Sequence, residues 1–177
     1  GGLYEETYDK LILSPGAAPV RPPLEGIDSE GIFTLRNVND TDRVKEYIEE
    51  NDVKRALIVG AGFIGLEMAE NLHEYGIQVS VVEMADQVMT PVDYEIATVV
   101  HQHFKSKGVG LHLQEAVTAF RPVEDGIDVV LKSGLVLQVD MVLLSIGVRP
   151  VVKLAREAGL EIGETGGIKV NQFVQTS

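Results

Sequence analysis

Residues 57–67 read LIVGAGFIGLE, with Gly60, Gly62 and Gly65 crowded into one junction. The preceding ALIVG is a continuous apolar run, as in a strand buried on both faces of a parallel sheet. The following FIGLEMAENLHEYG reads as a helix closed by Gly76 at its C′ position. Glycines spaced G-x-G-x-x-G between a buried strand and a helix form a dinucleotide-binding turn. Gly60 permits the tight turn, Gly62 lets a pyrophosphate approach the backbone, and Gly65 lets the helix lie close to the sheet. The helix start then directs free N–H groups and a positive dipole at the phosphates.

The surrounding pattern supplies the rest of such a unit. IQVSVVE reads as a second strand. A second helix is expected from Thr90-Pro91, with Thr90 as cap and Asp93 favouring the dipole, to Lys107, stopping at Gly108. VGLHL is a third strand, and the β-α-β-α-β order implies a Rossmann-like, doubly wound parallel sheet. EAVTAF, GIDVVLK and LVLQV, separated by turn residues, predict an antiparallel meander. DMVLLSIG is another buried parallel strand. Upstream, TYDKLIL (7–13) and GIFTL (31–35) read as strands, and SPGAAPVRPP, with four prolines, as irregular. NDTDRVKEYIEEND reads as a helix capped by Thr41 or Asp40, with Val44, Tyr47 and Ile48 on one face. VVKLAREAGL is a short helix and GGIKVN a last strand. The organisation expected is a leading segment 1–38, a nucleotide-binding domain 39–150 and a return segment 151–177.

Glu83 ends the second strand, 23 positions after Gly60. An acid there accepts hydrogen bonds from the adenosine ribose and repels a 2′-phosphate. No Lys or Arg lies between Arg55 and Lys105 to pair with one. The expected cofactor is NAD(H) rather than NADP(H). The net charge of −12 leaves no basic face for nucleic acid. No apolar run approaches the ~18 residues of a membrane span, and GGLYEETYDK lacks signal-peptide character. The expectation is a cytoplasmic protein with neither membrane nor nucleic acid as partner.

With no cysteine in 177 residues, disulfides, thiolate nucleophiles and thiolate metal sites are excluded within this sequence. His101 and His103 are two apart on a helix and cannot share a metal; His73 and His112 are isolated. No acid–base pair or nucleophile is visible, so the expected catalytic and metal sets are empty. On residue type alone, Phe63 reads as core, and Glu67 as a dipole-complementing acid on the Glu67/Glu70/Glu74 solvent face. A non-enzymatic NAD(H)-binding sensor module is the alternative to an enzyme. A free-standing dehydrogenase is disfavoured for want of an acid–base pair.

Taken together, YDKLILSPGAAPVRPPLEG, the glycine turn through VVEMADQVM, and VDMVLLSIGVRP resemble the FAD-dependent pyridine nucleotide-disulfide oxidoreductases. Within them the chain is similar to the coenzyme A-disulfide reductase, NADH oxidase and NADH peroxidase branch. Two departures are visible: Ser14-Pro15-Gly16 stands where many relatives carry Ala-Thr-Gly, and Val151 follows Pro150 where many carry Asn. The resemblance implies an NADH-binding region flanked by partial FAD-domain segments. NADH would pass hydride to FAD, and the flavin would reduce a cysteine-based disulfide, peroxide or oxygen centre in a homodimer. It makes Phe63 an aromatic gate, turns Glu67 toward the flavin side of the nicotinamide pocket, and sets Ile146, Gly147 and Val148 at the nicotinamide end. The candidate cofactor set is completed by Gly60, Gly62, Ile64, Gly65, Glu83, Met84 and the Ser14-Pro15-Gly16 turn. It further implies that the first FAD fingerprint and the redox cysteine precede this sequence, and that the fragment alone binds NADH without turnover.

Overall fold

In the computed structural model, residue 2 and residues 4–177 are described. In chain order the elements are β1 (Ala17–Pro19), β2 (Ile32–Thr34), α1 (Val38–Glu50), β3 (Arg55–Val59), α2 (Phe63–Glu74), β4 (Gln78–Glu83) and α3 (Tyr94–Ser106). They continue with β5 (Gly110–Leu113), β6 (Val117–Val123), β7 (Gly126–Leu131), β8 (Val136–Val139), β9 (Met141–Leu144), β10 (Val148–Pro150) and α4 (Lys153–Glu157). The chain divides into two units, residues 19–147 and the remainder. The boundary expected after residue 38 falls within the first turn of α1, inside the larger unit.

In the larger unit, five parallel strands form one sheet in the order β2-β9-β3-β4-β5. The central strands β3 and β9 are apolar throughout their buried lengths because both faces are covered. Ala56 and Ile58 of β3, with Met141 and Leu143 of β9, face a core built by Val44 of α1, Leu66, Ala69 and Leu72 of α2, and Ala97 and Phe104 of α3. The alternate residues Leu57, Val59, Val142 and Leu144 face Phe120, Ile127, Val129 and Leu131 of the meander. This is the Rossmann-like α/β fold expected. Strands β6, β7 and β8 form an antiparallel sheet that covers the face opposite the helices.

Several local expectations require correction. Helix α1 is capped by Asn37, not Thr41 or Asp40. Asn37 Oδ1 accepts from Asp40 N at 3.2 Å and Asp40 Oδ2 accepts from Asn37 N at 3.2 Å, a reciprocal pair that only three-residue spacing allows. Helix α3 starts at Tyr94, after an extended Asp93. Thr90 and Pro91 sit instead in a turn closed by Val92 N donating to Met89 O at 2.9 Å. Residues 7–13 are not a strand: no other described segment pairs with them, and Leu11 and Ile12 are exposed. GGIKVN makes only an isolated bridge between Ile162 and Ile168. Conversely, the proline-rich SPGAAPVRPP does contain a three-residue strand, β1, paired with β10. A two-stranded ribbon leaves one edge of β1 free of ladder bonds, where proline is tolerated.

At the N-terminal end of the parallel sheet, Asp140 joins β3 to β9. Its Oδ2 accepts from the Lys54 and Arg55 N–H groups at 2.9 and 2.8 Å, and its Oδ1 from the Arg55 guanidinium. Burial works against ionisation of Asp140, but the Arg55 side chain and the two backbone N–H groups outweigh it and hold the carboxyl below its ordinary range.

Candidate functional site: the glycine turn and the Glu83 clasp

Strand register sets the site. Val59 of β3 is level with Val82 of β4 and Leu144 of β9. The residues that follow, Gly60, Glu83 and Ser145, therefore emerge side by side at the C-terminal edge, where ligands of open α/β sheets bind.

Two of the three glycines are required by the protein itself. Gly60 adopts φ +102°, and a Cβ there would run into the Ser145 carbonyl oxygen. A Cβ on Gly65 would strike the Gly60 carbonyl oxygen and press on Ile58. Gly62 differs. It is extended, with φ −77° and ψ −178°, and a Cβ there would meet nothing within 4 Å. The fold does not demand glycine at this position, whereas a ligand seated on the backbone would. Gly62 is the N-cap of α2, and no side chain caps the helix. Its first-turn N–H groups, which a helix start cannot satisfy internally, could serve as donors to a ligand.

Glu83 is half-buried and clasps this turn. Its Oε2 accepts from Ala61 N at 2.8 Å and its Oε1 from Ala85 N at 2.9 Å. Each carboxylate oxygen keeps further acceptor capacity for hydroxyl donors. Ala85 is fixed from the other side as well, its carbonyl accepting from Gln114 N at 2.9 Å. The loop 84–92 returns to the turn through Met89 N, which donates to Ala61 O at 2.9 Å. It is anchored behind by Val88, whose side chain is buried and whose N–H donates to His101 Nε2 at 3.1 Å. Sequence reasoning passed over His101. An acceptor bond across 13 positions leaves no local signal, although burial of one histidine on the α3 core face follows from its helical spacing with Ala97 and Phe104.

Apolar side chains surround the turn in the open. Phe63 is 58% exposed, Ile64 50%, Met84 77% and Ile146 37%. The reading of Phe63 as core, made on residue type alone, is thus overturned: at the first position of α2 it points away from the packed face that carries Gly65, Leu66 and Ala69. Glu67 is exposed one turn on. Ile146 and Gly147 follow β9, whose end is tied to β3 by Ser145 N donating to Val59 O at 2.7 Å. Gly147 has φ +101° and an open Cβ direction. The structure therefore gathers Gly60, Gly62, Phe63, Ile64, Gly65, Glu83, Met84, Ile146 and Gly147 at one edge of the sheet. Val148 and the Ser14-Pro15-Gly16 turn belong to the smaller unit, where Gly16 O accepts from Val151 N at 2.9 Å. Among the described residues, no group of three or more His, Asp or Glu is arranged to hold a metal. No helix there is long and apolar enough to cross a membrane.

The family model of the pyridine nucleotide-disulphide oxidoreductases matches residues 1–177. This chain belongs to that family. NADH oxidase of Methanocaldococcus jannaschii is 40% identical over 178 residues, covering 100% of this chain and 39% of that relative. Coenzyme A disulfide reductase of Staphylococcus haemolyticus is 34% identical, over 98% of this chain and 38% of its own length. The crystal structure of reduced Bacillus anthracis CoADR-RHD superimposes with a TM-score of 0.93 at 52% identity, over 98% of this chain and 31% of that one. This pyridine nucleotide-disulphide oxidoreductase chain thus spans about two fifths of the length of the curated relatives it matches. The family named from the sequence motifs is the family found.

Proposed function

We propose that this chain is the NADH-binding portion of an FAD-dependent oxidoreductase of the coenzyme A-disulfide reductase and NADH oxidase type. When bound, NADH would supply hydride to the flavin, from which electrons go on to a cysteine-based disulfide, peroxide or oxygen centre. One observation carries the assignment: the Glu83 carboxylate clasps the turn whose middle glycine, Gly62, is spared a side chain that the fold itself would accept.

The residues present fit the cofactor. The uncapped start of α2 offers N–H donors to a diphosphate, and Gly62 lets it approach. Glu83 retains lone pairs for ribose hydroxyls and opposes a 2′-phosphate by charge. Exposed Phe63 and Ile146 offer apolar surface at the end assigned to nicotinamide. Residues 1–38 and 151–177 would be partial segments of an FAD domain, and a cytoplasmic homodimer is part of the same reading.

Calorimetric titration of the protein with NADH tests the proposal. Saturable binding is expected, with no oxidation of NADH by coenzyme A disulfide when no flavin is supplied. Absence of a saturable signal would overturn it.

A further inference from the structure

His101 stands behind the cofactor platform, and a chain of hydrogen bonds, each donated by a backbone N–H, runs between the two. Its Nε2 accepts from Val88 N, and the adjacent Met89 N donates to Ala61 O. Ala61 N in turn donates to Glu83. A neutral imidazole that accepts at Nε2 carries its proton on Nδ1; an imidazolium has no lone pair left. Protonation would therefore convert the partner of the Val88 N–H from an acceptor into a donor, inside a buried contact. Val88 and Met89 are neighbours in one loop, so its displacement reaches Ala61 within one residue.

We propose that His101 is a positioning residue for the dinucleotide, which in its unprotonated form locks loop 84–92 against the glycine turn and so couples cofactor affinity to pH. The inference rests on the NADH reading above. The groups around His101 favour the neutral form. Burial lowers its proton affinity, and Lys105, one turn further along α3, lowers it again. Tyr94 meets the imidazole edge-on at 6.2 Å. No acid offsets the burial. The locked state therefore prevails at neutral pH and is lost as pH falls below the ordinary histidine range.

The test is calorimetric titration with NAD+, which withstands mild acid, at about pH 8 and about pH 5, the lower value set well below the ordinary histidine range because proton affinity is reduced in the fold. Wild-type protein is expected to bind about five- to tenfold more weakly at the lower pH. His101→Gln keeps an acceptor for Val88 N–H that does not titrate. It is expected to hold near wild-type affinity at the higher pH and to lose the wild-type pH dependence. His101→Leu, lacking an acceptor, is expected to bind about five- to tenfold more weakly at both. His73, His103 and His112 are present in all three proteins, so the differences isolate His101. Equal wild-type affinity at the two pH values, or a His101→Gln profile that follows the wild type, would overturn this inference and leave the NADH reading standing. Absence of saturable binding by wild-type protein at either pH would overturn both.

Discussion

Glu83, the last residue of β4, accepts a hydrogen bond from the Ala61 N–H in the glycine turn after β3, at 2.8 Å. The residue read from the sequence as a ribose ligand is thus also a structural clasp, its second oxygen holding Ala85 N. Glu83→Gln keeps one acceptor oxygen and presents an amide donor where the other stood. We expect it to lose about 1–2 kcal/mol of stability, a fall of roughly 2–8 °C in Tm. Differential scanning calorimetry without ligand checks this; an unchanged Tm would show that the clasp contributes nothing to the fold.

The glycines separate fold from ligand. Gly65→Ala forces a methyl group into the Gly60 carbonyl and against Ile58, and a loss of about 1–3 kcal/mol is expected. Gly62→Ala adds a methyl group where nothing lies within 4 Å. Its Tm is expected to stay within about 2 °C of wild type, while NADH affinity falls at least about tenfold. Thermal melts alongside NADH titrations decide the matter, and a Gly62→Ala protein that binds NADH normally would contradict the placement of the diphosphate.

Phe63, being 58% exposed, contributes little to the core. Phe63→Ala is expected to cost less than about 1 kcal/mol in urea unfolding and to weaken NADH more than ADP-ribose, which lacks the nicotinamide ring. Equal weakening of both ligands would place Phe63 away from that ring.

Asp140 ties stability to pH. Its folded-state proton affinity is lowered, so the unfolded chain binds more protons in acid. The stabilisation is present above the ordinary carboxylate range and is lost as pH falls through the lowered folded-state value. Asp140→Asn is expected to be less stable by about 1–3 kcal/mol near neutrality, with the gap to wild type closing on acidification. Urea unfolding at a series of pH values measures the gap; a constant difference would mean that the Asp140–Arg55 contact is not what acid removes.

The parts legible in the sequence were those whose causes are local. The unbroken apolar run at residues 56–59 reports burial on both faces, and the glycine spacing reports the turn. The alternation in GIDVVLK reports a sheet with one covered face. What was illegible depends on distant partners. Residues 7–13 have strand composition, but a strand exists only in a ladder. Thr90-Pro91 has the chemistry of a helix start, yet Met89 and Val92 close a turn there and α3 begins at Tyr94. The Asp140–Arg55 pair spans 85 positions, and hydrophobicity alone cannot tell that Phe63 faces outward.

Paired titrations of wild-type protein and Glu83→Ala with NADH and NADPH test the central assignment most directly. Wild-type protein is expected to prefer NADH by at least about tenfold, the scale of a desolvated charge repulsion. Glu83→Ala is expected to bring the ratio toward one. An unchanged ratio in the variant would contradict the assignment of Glu83 as the residue that holds the adenosine ribose.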